Sequence, residues 1–441
     1  MAFGGGTFTA QDKKLPGSYI NFITVKNAVQ TIFGRGVAAM GLQLDWGADD
    51  EVFTVTAEEF FKNARALFGY KQDAPQMKAL RDIFKNAHTL RAYRLNGGGK
   101  KAENSFATAA CSGTRGNAIT IAVAKNADDA SKWDVKTYMD GELVDLQTVA
   151  AAAELKQSAY CIFKAEAALA ENAGEAMTGG ENGSVTAESH QKFIDLVQSY
   201  SFNAIGAVSD ETGEDAPAVN DLYAAFTRRM RDEMGVKFQC VLFRNAADHE
   251  GVISVQNAVK DEGWSAASLV YWITGLMAGT AVGQSAMNTV YDGEFSVDAS
   301  YTQAQLEGFI DSGCMTLHRV NDELRLLNDV NSLVSFTESK GEIFRQNQVI
   351  RVIDAAAGEI ASVFNTKYIG KVPNSASGRV SLWADIVKIF RDLERVGAIE
   401  GFDESTVTVQ QGEQARSVMA QVSAVNVAGA MEKLYMTIVI A

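Results

Sequence analysis

Few residue groupings in this sequence could do chemistry, and each lacks something its reaction would need. Gly97-Gly98-Gly99-Lys100-Lys101 offers the glycines and lysine of a phosphate-cradling loop. A P-loop also needs a glycine five residues before its Gly-Lys pair and a Ser or Thr after it. Arg94 and Lys101 stand there instead, so the run reads as a hinge between domains. Gly283-Gln284-Ser285-Ala286-Met287 sets a serine behind a glycine but lacks the closing glycine of a nucleophile elbow. It also follows a predicted helix, where that motif needs a strand. His88, His190, His249 and His318 are scattered, and only the fold could bring one to Ser285. The acidic loop Asp210-Glu211-Thr212-Gly213-Glu214-Asp215 follows a predicted strand, where α/β folds bind ligands. It has no EF-hand register and reads as solvated charge. Neither a dinucleotide fingerprint nor zinc-ligand spacing occurs.

Composition narrows the field further. A chain of 441 residues suggests roughly two to four domains, and 47% hydrophobic residues with 4 prolines describe an ordered globular chain. The net charge of -14 argues against a nucleic-acid coat or a membrane-surface binder, because phosphate contacts need a basic footprint. Cys111, Cys161, Cys240 and Cys314 form no CxxC pair, which fits small buried hydrophobes and a reducing compartment during folding. The start, Met1-Ala2-Phe3-Gly4, lacks the basic and apolar regions of a signal peptide. The longest apolar stretch, Ala266 to Val282, is interrupted by Gly275 and Gly279 and reads as a buried helix, not a membrane span.

The elements that would position these residues fall into blocks. Behind Thr56 as cap, Phe60, Phe61, Ala64, Leu67 and Phe68 recur at helical spacing over Ala57 to Phe68. A second helix over Met77 to Ala87 follows Pro75, and this small unit ends near Arg94. Ala118 to Ala124, Trp133 to Met139 and Glu142 to Val149 are strand-like, the last two joined by Asp140-Gly141, a two-residue hairpin signal. Short strands here suggest a β-sandwich, followed by an Ala-rich helix over Gln147 to Asn172 and a linker over Gly174 to Ser184. Predicted strands at Phe202 to Val208, Lys237 to Phe243 and Gly251 to Val255 alternate with helices at Ala218 to Met234 and Ser265 to Val282. That alternation indicates a largely parallel α/β sheet. Beyond it, Asp329 to Thr337 reads as a strand, and Glu342 to Phe364 and Leu382 to Val396 as helices. In the last helix Leu382, Ile386, Ile389, Leu393 and Val396 form the apolar stripe, while Lys388, Arg391 and Arg395 share another face.

Both ends of the chain read as strands. Leu434, Met436, Ile438 and Ile440 alternate with Tyr435, Thr437 and Val439. Near the start, after Gly4-Gly5-Gly6 and Pro16-Gly17, Ser18 to Val25 is similar. Termini are usually polar and frayed. These two are built to pair, either within their own sheet or by addition to a neighbouring copy.

Whole-chain pattern carries more than any single site. The stretches PGSYINFI (Pro16 to Ile23), SGTRGNAITIAV (Ser112 to Val123), WDVKTYMDGELVDLQTV (Trp133 to Val149), NDVNSLVSFT (Asn328 to Thr337), VIRVIDAAAGEIASVF (Val349 to Phe364), KYIGKVPNSASGRVSL (Lys367 to Leu382) and MEKLYMTIVI (Met431 to Ile440) occur in a fixed order. In content and order the chain resembles the tail sheath proteins of contractile phages and phage-like particles. The nearest likeness is to the compact sheaths of Gram-positive-type prophages and R-type bacteriocins. The central α/β region is the least similar word for word.

The resemblance implies a multidomain α/β and α+β chain, and the boundaries follow the blocks above. They are an N-terminal arm at 1–25, a small N-terminal domain at 26–95 and a β-sandwich domain with its following helix at 96–175. A subtilisin-like, non-catalytic α/β domain at 185–314, an α+β C-terminal domain at 315–415 and a C-terminal arm at 416–441 complete it. The implied role is structural, with no enzyme activity, cofactor or metal. Copies polymerise helically around an inner tail tube protein, between baseplate and tail terminator proteins, and contract to drive the tube through a cell envelope. No nucleic acid and no stable membrane insertion are implied. The particle is a virion tail or phage-tail-like particle, made and assembled in the bacterial host cytoplasm. Tyr19, Ile20, Phe22 and Ile23 and, at the other end, Leu434, Tyr435, Met436, Ile438, Val439 and Ile440 become inter-subunit arm residues. Lys388, Arg391 and Arg395 become the tube-facing helix surface, unless Asp385, Asp392 and Glu394 neutralise them. The alternative from another class is an α/β hydrolase-like enzyme using Ser285.

Overall fold

The computed structural model describes residues 34–209 and 216–439. The expected arm residues Tyr19, Ile20, Phe22, Ile23 and Ile440, and the acidic loop 210–215, lie outside them. Residues 35–441 form one compact unit.

The chain begins that unit with β1 (Val37–Leu42) and β2 (Val52–Thr56), then α1 (Ala57–Phe68), α2 (Lys78–Phe84) and β3 (Thr89–Arg94). Thr56 caps α1 in a reciprocal capping box with Glu59, and Gly69 ends the helix in the left-handed conformation. Phe60, Ala64 and Phe68 are buried as the periodicity requires, whereas Phe61 faces solvent.

A β-sandwich follows. β4 (Ala107–Ala109), β5 (Ile119–Lys125), β6 (Trp133–Met139), β7 (Glu142–Val149), β8 (Cys161–Phe163) and β9 (Asn172–Ala176) form a four-stranded sheet, β7-β6-β5-β9, and a pair, β4-β8. Asp140 and Gly141 both have positive φ (54° and 74°), the geometry a right-twisted two-residue hairpin demands. Ile119, Ile121 and Val123 of β5 pack with Val135 and Met139 of β6 in a core that also takes in Trp46. The helix expected over 147–172 is absent. Its residues instead complete β7, make a 3-10 turn at Ala152–Glu154 and supply β8. Alanine-rich composition favours helix only weakly, and the sandwich needs this chain to bury Val149, Ala152 and Cys161.

The third block holds α3 (Ala187–Val197), β10 (Ala204–Gly206), α4 (Ala216–Arg228), β11 (Gln239–Phe243), β12 (Val252–Val255), α5 (Leu269–Gly279), α6 (Gln303–Asp311) and β13 (Cys314–Met315). Its strands join those of the first block in one seven-stranded sheet, β13-β12-β11-β10-β1-β3-β2, parallel except for the edge strand β2. Residues 37–94 are therefore part of the α/β sheet, and the expected separate small domain over 26–95 is corrected accordingly. The core on one face contains residues of α1, α2 and α5, and that on the other face residues of α3 and α4. The glycines that interrupt α5 bring it against α2: a Cβ on Gly275 would lie 2.4 Å from Ile83 O, and one on Gly279 would lie 2.1 Å from Asn86 O.

The last block opens with the hairpin β14 (Leu317–Val320) and β15 (Glu323–Leu326), followed by α7 (Asn347–Val363) and α8 (Ala376–Arg395). It closes with β16 (Ile399–Glu400), β17 (Val407–Gln411), β18 (Val418–Val422) and β19 (Asn426–Val427). The strand expected over Asp329 to Thr337 does not form. Side chains capture the backbone there: Asn331 Oδ1 accepts Leu333 N, and Asp248 Oδ1 accepts Val334 N and Ser335 N. β18 pairs with β17 and β19 with β16, so residues 418–427 belong to the body. The C-terminal arm is therefore shorter than the expected 416–441.

Candidate assembly surfaces

The fold places the candidate catalytic residues in separate surroundings. Ser285 sits in the loop after α5, its hydroxyl 3.4 Å from Asp329 Oδ2 and accepting Met287 N. Asp329 Oδ2 is already taken by Arg351 Nη2 at 2.6 Å and Ala286 N at 2.9 Å, so this is a buried structural knot. The histidines lie elsewhere: His190 against Tyr223 OH, His88 against Arg35 O, His249 beside Asp232, and His318 on β14. Gly97 to Lys101 packs against 181–183: Lys100 N donates to Glu181 O and Gly183 N to Asn96 O, leaving no phosphate cradle.

Ligand atoms of Asp232, His249 and Glu250 lie within 4.8 Å of one another. His249 Nδ1 accepts Gly251 N, which puts the ring proton on Nε2, facing Asp232 Oδ2 at 3.2 Å. Both ring nitrogens are spent in hydrogen bonds, and Glu250 accepts Lys340 Nζ at 2.7 Å. Burial lowers the His249 pKa although Glu250 and Asp232 oppose it, so the ring stays neutral. Through Lys340 the cluster ties the α/β sheet to the segment before α7.

Two exposed features remain, at the end of the described chain and on α8. Residues 431–439 carry no helix or strand, and their apolar side chains lie in water: Leu434 is 85% exposed, Tyr435 88%, Met436 69%, Ile438 72% and Val439 87%. Burying one such side chain is worth roughly 1.5–3 kcal/mol, so this exposed stretch leaves a sizeable stabilisation unused. The hairpin β17–β18, which sequence pattern alone did not reveal, is a two-stranded sheet that rests on α8, where Trp383 Nε1 donates to Val407 O at 3.0 Å. The alternating Val418-Met419-Ala420-Gln421-Val422 was the signal available for it.

α8 presents Lys388, Arg391 and Arg395 on one exposed face, opposite buried Leu382, Ile386, Ile389 and Leu393. Val396, expected in the apolar stripe, is exposed. Two of the three cations are partly neutralised: Arg391 pairs with Glu394 and Glu404 (both 3.3 Å), and Arg395 with Asp392 (3.0 Å). Asp385 pairs with Lys367 instead, and Lys388 makes no ion pair among the described residues.

Four family models tile the body: "Tail sheath protein Gp18 domain III N-terminal region" over 35–95, "Phage tail sheath protein beta-sandwich domain" over 95–182, "Phage tail sheath protein central domain" over 183–332 and "Phage tail sheath C-terminal domain" over 339–441. A crystal structure of the sheath tail protein from Desulfitobacterium hafniense matches with 33% identity and a TM-score of 0.77, over 90% of this chain and 93% of that one. The chain belongs to the phage tail sheath protein family. Phage-like element PBSX protein XkdK of Bacillus subtilis is 29% identical over 98% of this sheath chain and 99% of its own. The fold recurs, at 13% identity and a TM-score of 0.51, in the anti-feeding prophage helical sheath in its contracted state, over 97% of this chain and 99% of that one. This sheath protein is thus a structural subunit of a phage tail or tail-like particle. Among the described residues, no helix is long and apolar enough to cross a membrane.

Proposed function

We propose that copies of this chain polymerise helically around an inner tube by exchanging terminal strands, and contract to drive the tube through a cell envelope. The observation that carries the reading is the apolar stretch Leu434 to Val439, exposed to solvent on a chain whose body also carries the two-stranded sheet β17–β18. Added to an edge of β17–β18 in the next copy, the segment would pair its backbone along one side and cover one face, Leu434, Met436 and Ile438. The gross gain is on the order of 5 kcal/mol before the cost of ordering the segment. The N-terminal residues Tyr19, Ile20, Phe22 and Ile23 take the corresponding role at the other end.

Head-to-tail contacts that do not close generate a helix. Backbone pairing through arms survives rotation of the bodies, because the joining residues absorb it. The central sheet takes the place of the subtilisin-like, non-catalytic domain, and the face of Lys388, Arg391 and Arg395 lies on the tube. Baseplate and terminator proteins close the two ends, and assembly takes place in the host cytoplasm. Strain trapped as copies polymerise on the tube supplies the stroke, with no nucleotide or other cofactor.

The test is electron microscopy of the purified chain with and without residues 431–441. The full chain is expected to form tubes or rings, and the truncated one to remain folded with an unchanged melting temperature but no ordered polymer. A truncated chain that unfolds would show that the strand belongs to its own core.

A further inference from the structure

The two points where the terminal segments join the body are held by one small cluster at the end of α5. Residues 1–34 join at Arg35. Its Nη2 donates to Met277 O at 2.7 Å and its Nε to Thr280 O at 2.9 Å, carbonyls at the C-terminal end of α5 where a cation is favoured. His88 Nε2 holds the Arg35 carbonyl at 2.9 Å. Gly36 follows with φ +121°, and a Cβ there would lie 2.3 Å from the His88 ring, so the turn admits only glycine. The Gly36 carbonyl accepts His88 N and Thr89 N, while Gly36 N and Val37 N both donate to Asn203 Oδ1.

The other root lies nearby. Gln348, buried in the first turn of α7, donates from Nε2 to Gly283 O (2.8 Å) and Ala428 O (2.9 Å), and its Oε1 accepts Ala430 N (3.1 Å). That amide is the last grip before the exposed stretch 431–439. Arg351, one helical turn on, donates to Gln284 O at 2.7 Å and reaches Met277 Sδ at 3.8 Å. Met277 is therefore held by Arg35 through its carbonyl and by Arg351 through its sulfur.

We propose that residues 277–284, with Arg35, Gln348 and Arg351, form a tension-carrying junction through which a pull on one terminal segment passes to the other. The covalent route between the roots runs through the whole sheet and the β-sandwich. The hydrogen-bonded route crosses only the end of α5. Its groups are partly buried and partly charge-assisted, conditions that strengthen such bonds over those in open water. The proposal rests on the reading that the terminal segments pair with neighbouring copies. It makes the body a passenger on a continuous tether, free to turn while the arm roots keep their separation.

The experiment compares the full chain with Gln348→Met and Arg35→Met, near-isosteric changes that delete only the polar grips. Amide hydrogen exchange on unpolymerised protein reads peptides spanning 84–90 and 424–431. Gln348→Met is expected to speed exchange about tenfold at 428–430 and at least threefold at His88 and Thr89, the amides bonded to Gly36 O. Arg35→Met is expected to do the converse. Changes confined to the mutated root would overturn the junction. Should either variant fail to fold, Arg351→Lys, which keeps the charge but loses the fork, replaces it and is expected to loosen both peptides together. In parallel, polymers are sheared and their lengths measured by electron microscopy. Variant tubes are expected to break to under half the wild-type mean length, and equal lengths would count against the junction. Absence of any wild-type polymer would overturn the sheath reading, while the exchange result still decides the coupling.

Discussion

Arg231 and Asp354 face each other as a two-pronged ion pair, Nη1 to Oδ2 at 2.7 Å and Nη2 to Oδ1 at 2.8 Å, with side chains only 3% and 9% exposed. Arg231 lies on the π-helical continuation of α4 and Asp354 on α7, so the pair bolts the α/β sheet to the C-terminal block. Arg231 Nη1 also donates to Phe238 O. Removing one partner would strand a buried charge, which typically costs about 3–5 kcal/mol. Asp354→Ala is expected to destabilise by that order in urea unfolding, and adding Arg231→Met should recover part of the loss. Additive losses would show that the two side chains act independently.

Arg94 plays the same part between the sheet and the β-sandwich. Its guanidinium is fully buried and donates to Leu44 O, Ser112 O, Asp49 Oδ1 and Asn182 Oδ1. An ammonium cannot reproduce this planar fork. Arg94→Lys should lower stability by about 2 kcal/mol or more and admit protease at 96–100 and 180–184. Unchanged cleavage and melting would remove Arg94 as the hub.

Acid should weaken the fold through His190. Burial lowers its pKa to about 4, and its Nδ1 faces Tyr223 OH at 3.0 Å. The unfolded chain takes up this proton near pH 6.5, whereas the folded chain refuses it until about pH 4. The stability contributed by the neutral ring is whole above about pH 6.5 and is lost as the pH falls toward 4. It amounts to roughly 3 kcal/mol. His190→Gln, which keeps a polar partner for Tyr223, should flatten this part of the stability–pH curve. The difference between the two proteins' urea midpoints at pH 7 and pH 4.5 measures it.

On α8, reversing Lys388, Arg391 and Arg395 together should spare polymerisation but weaken assembly onto a tube. Arg391 and Arg395 already have carboxylate partners, so Lys388→Glu alone should produce most of the effect. Extended particles of normal length and number from the triple variant, counted in micrographs, would refute a tube-facing role.

Legibility in the sequence followed the physics of each segment. β6 and β7 were readable to the residue, because alternation and Asp140-Gly141 agree. α1 was readable from its cap and stripe, and α5 from a long apolar run despite Gly275 and Gly279 within it. β1 was not. Val37-Ala38-Ala39-Met40-Gly41-Leu42 lies in the middle of the sheet with both faces covered, so it needs small residues and shows no alternation. Missing it concealed that the first block completes the central sheet. At the candidate site, the apolar alternation of the last residues and the basic face of α8 were visible as patterns. Their long-range partners, Glu404 for Arg391 and Gln348 for the root of the last residues, were not, because such contacts exist only once distant segments meet.

The chain leaves the central sheet for the β-sandwich and returns through a single doorway. Gly183 N donates to Asn96 O at 3.1 Å, and a Cβ on Gly99 would lie 2.0 Å from Glu181 O. Since the two crossings touch, the path of the seven strands closes without the sandwich, although Trp46 and Arg94 would lose the partners it supplies. The sandwich is in effect a cartridge. A foreign domain whose own ends lie equally close, and which supplies a cover for Trp46, could be plugged in at 97 and 183.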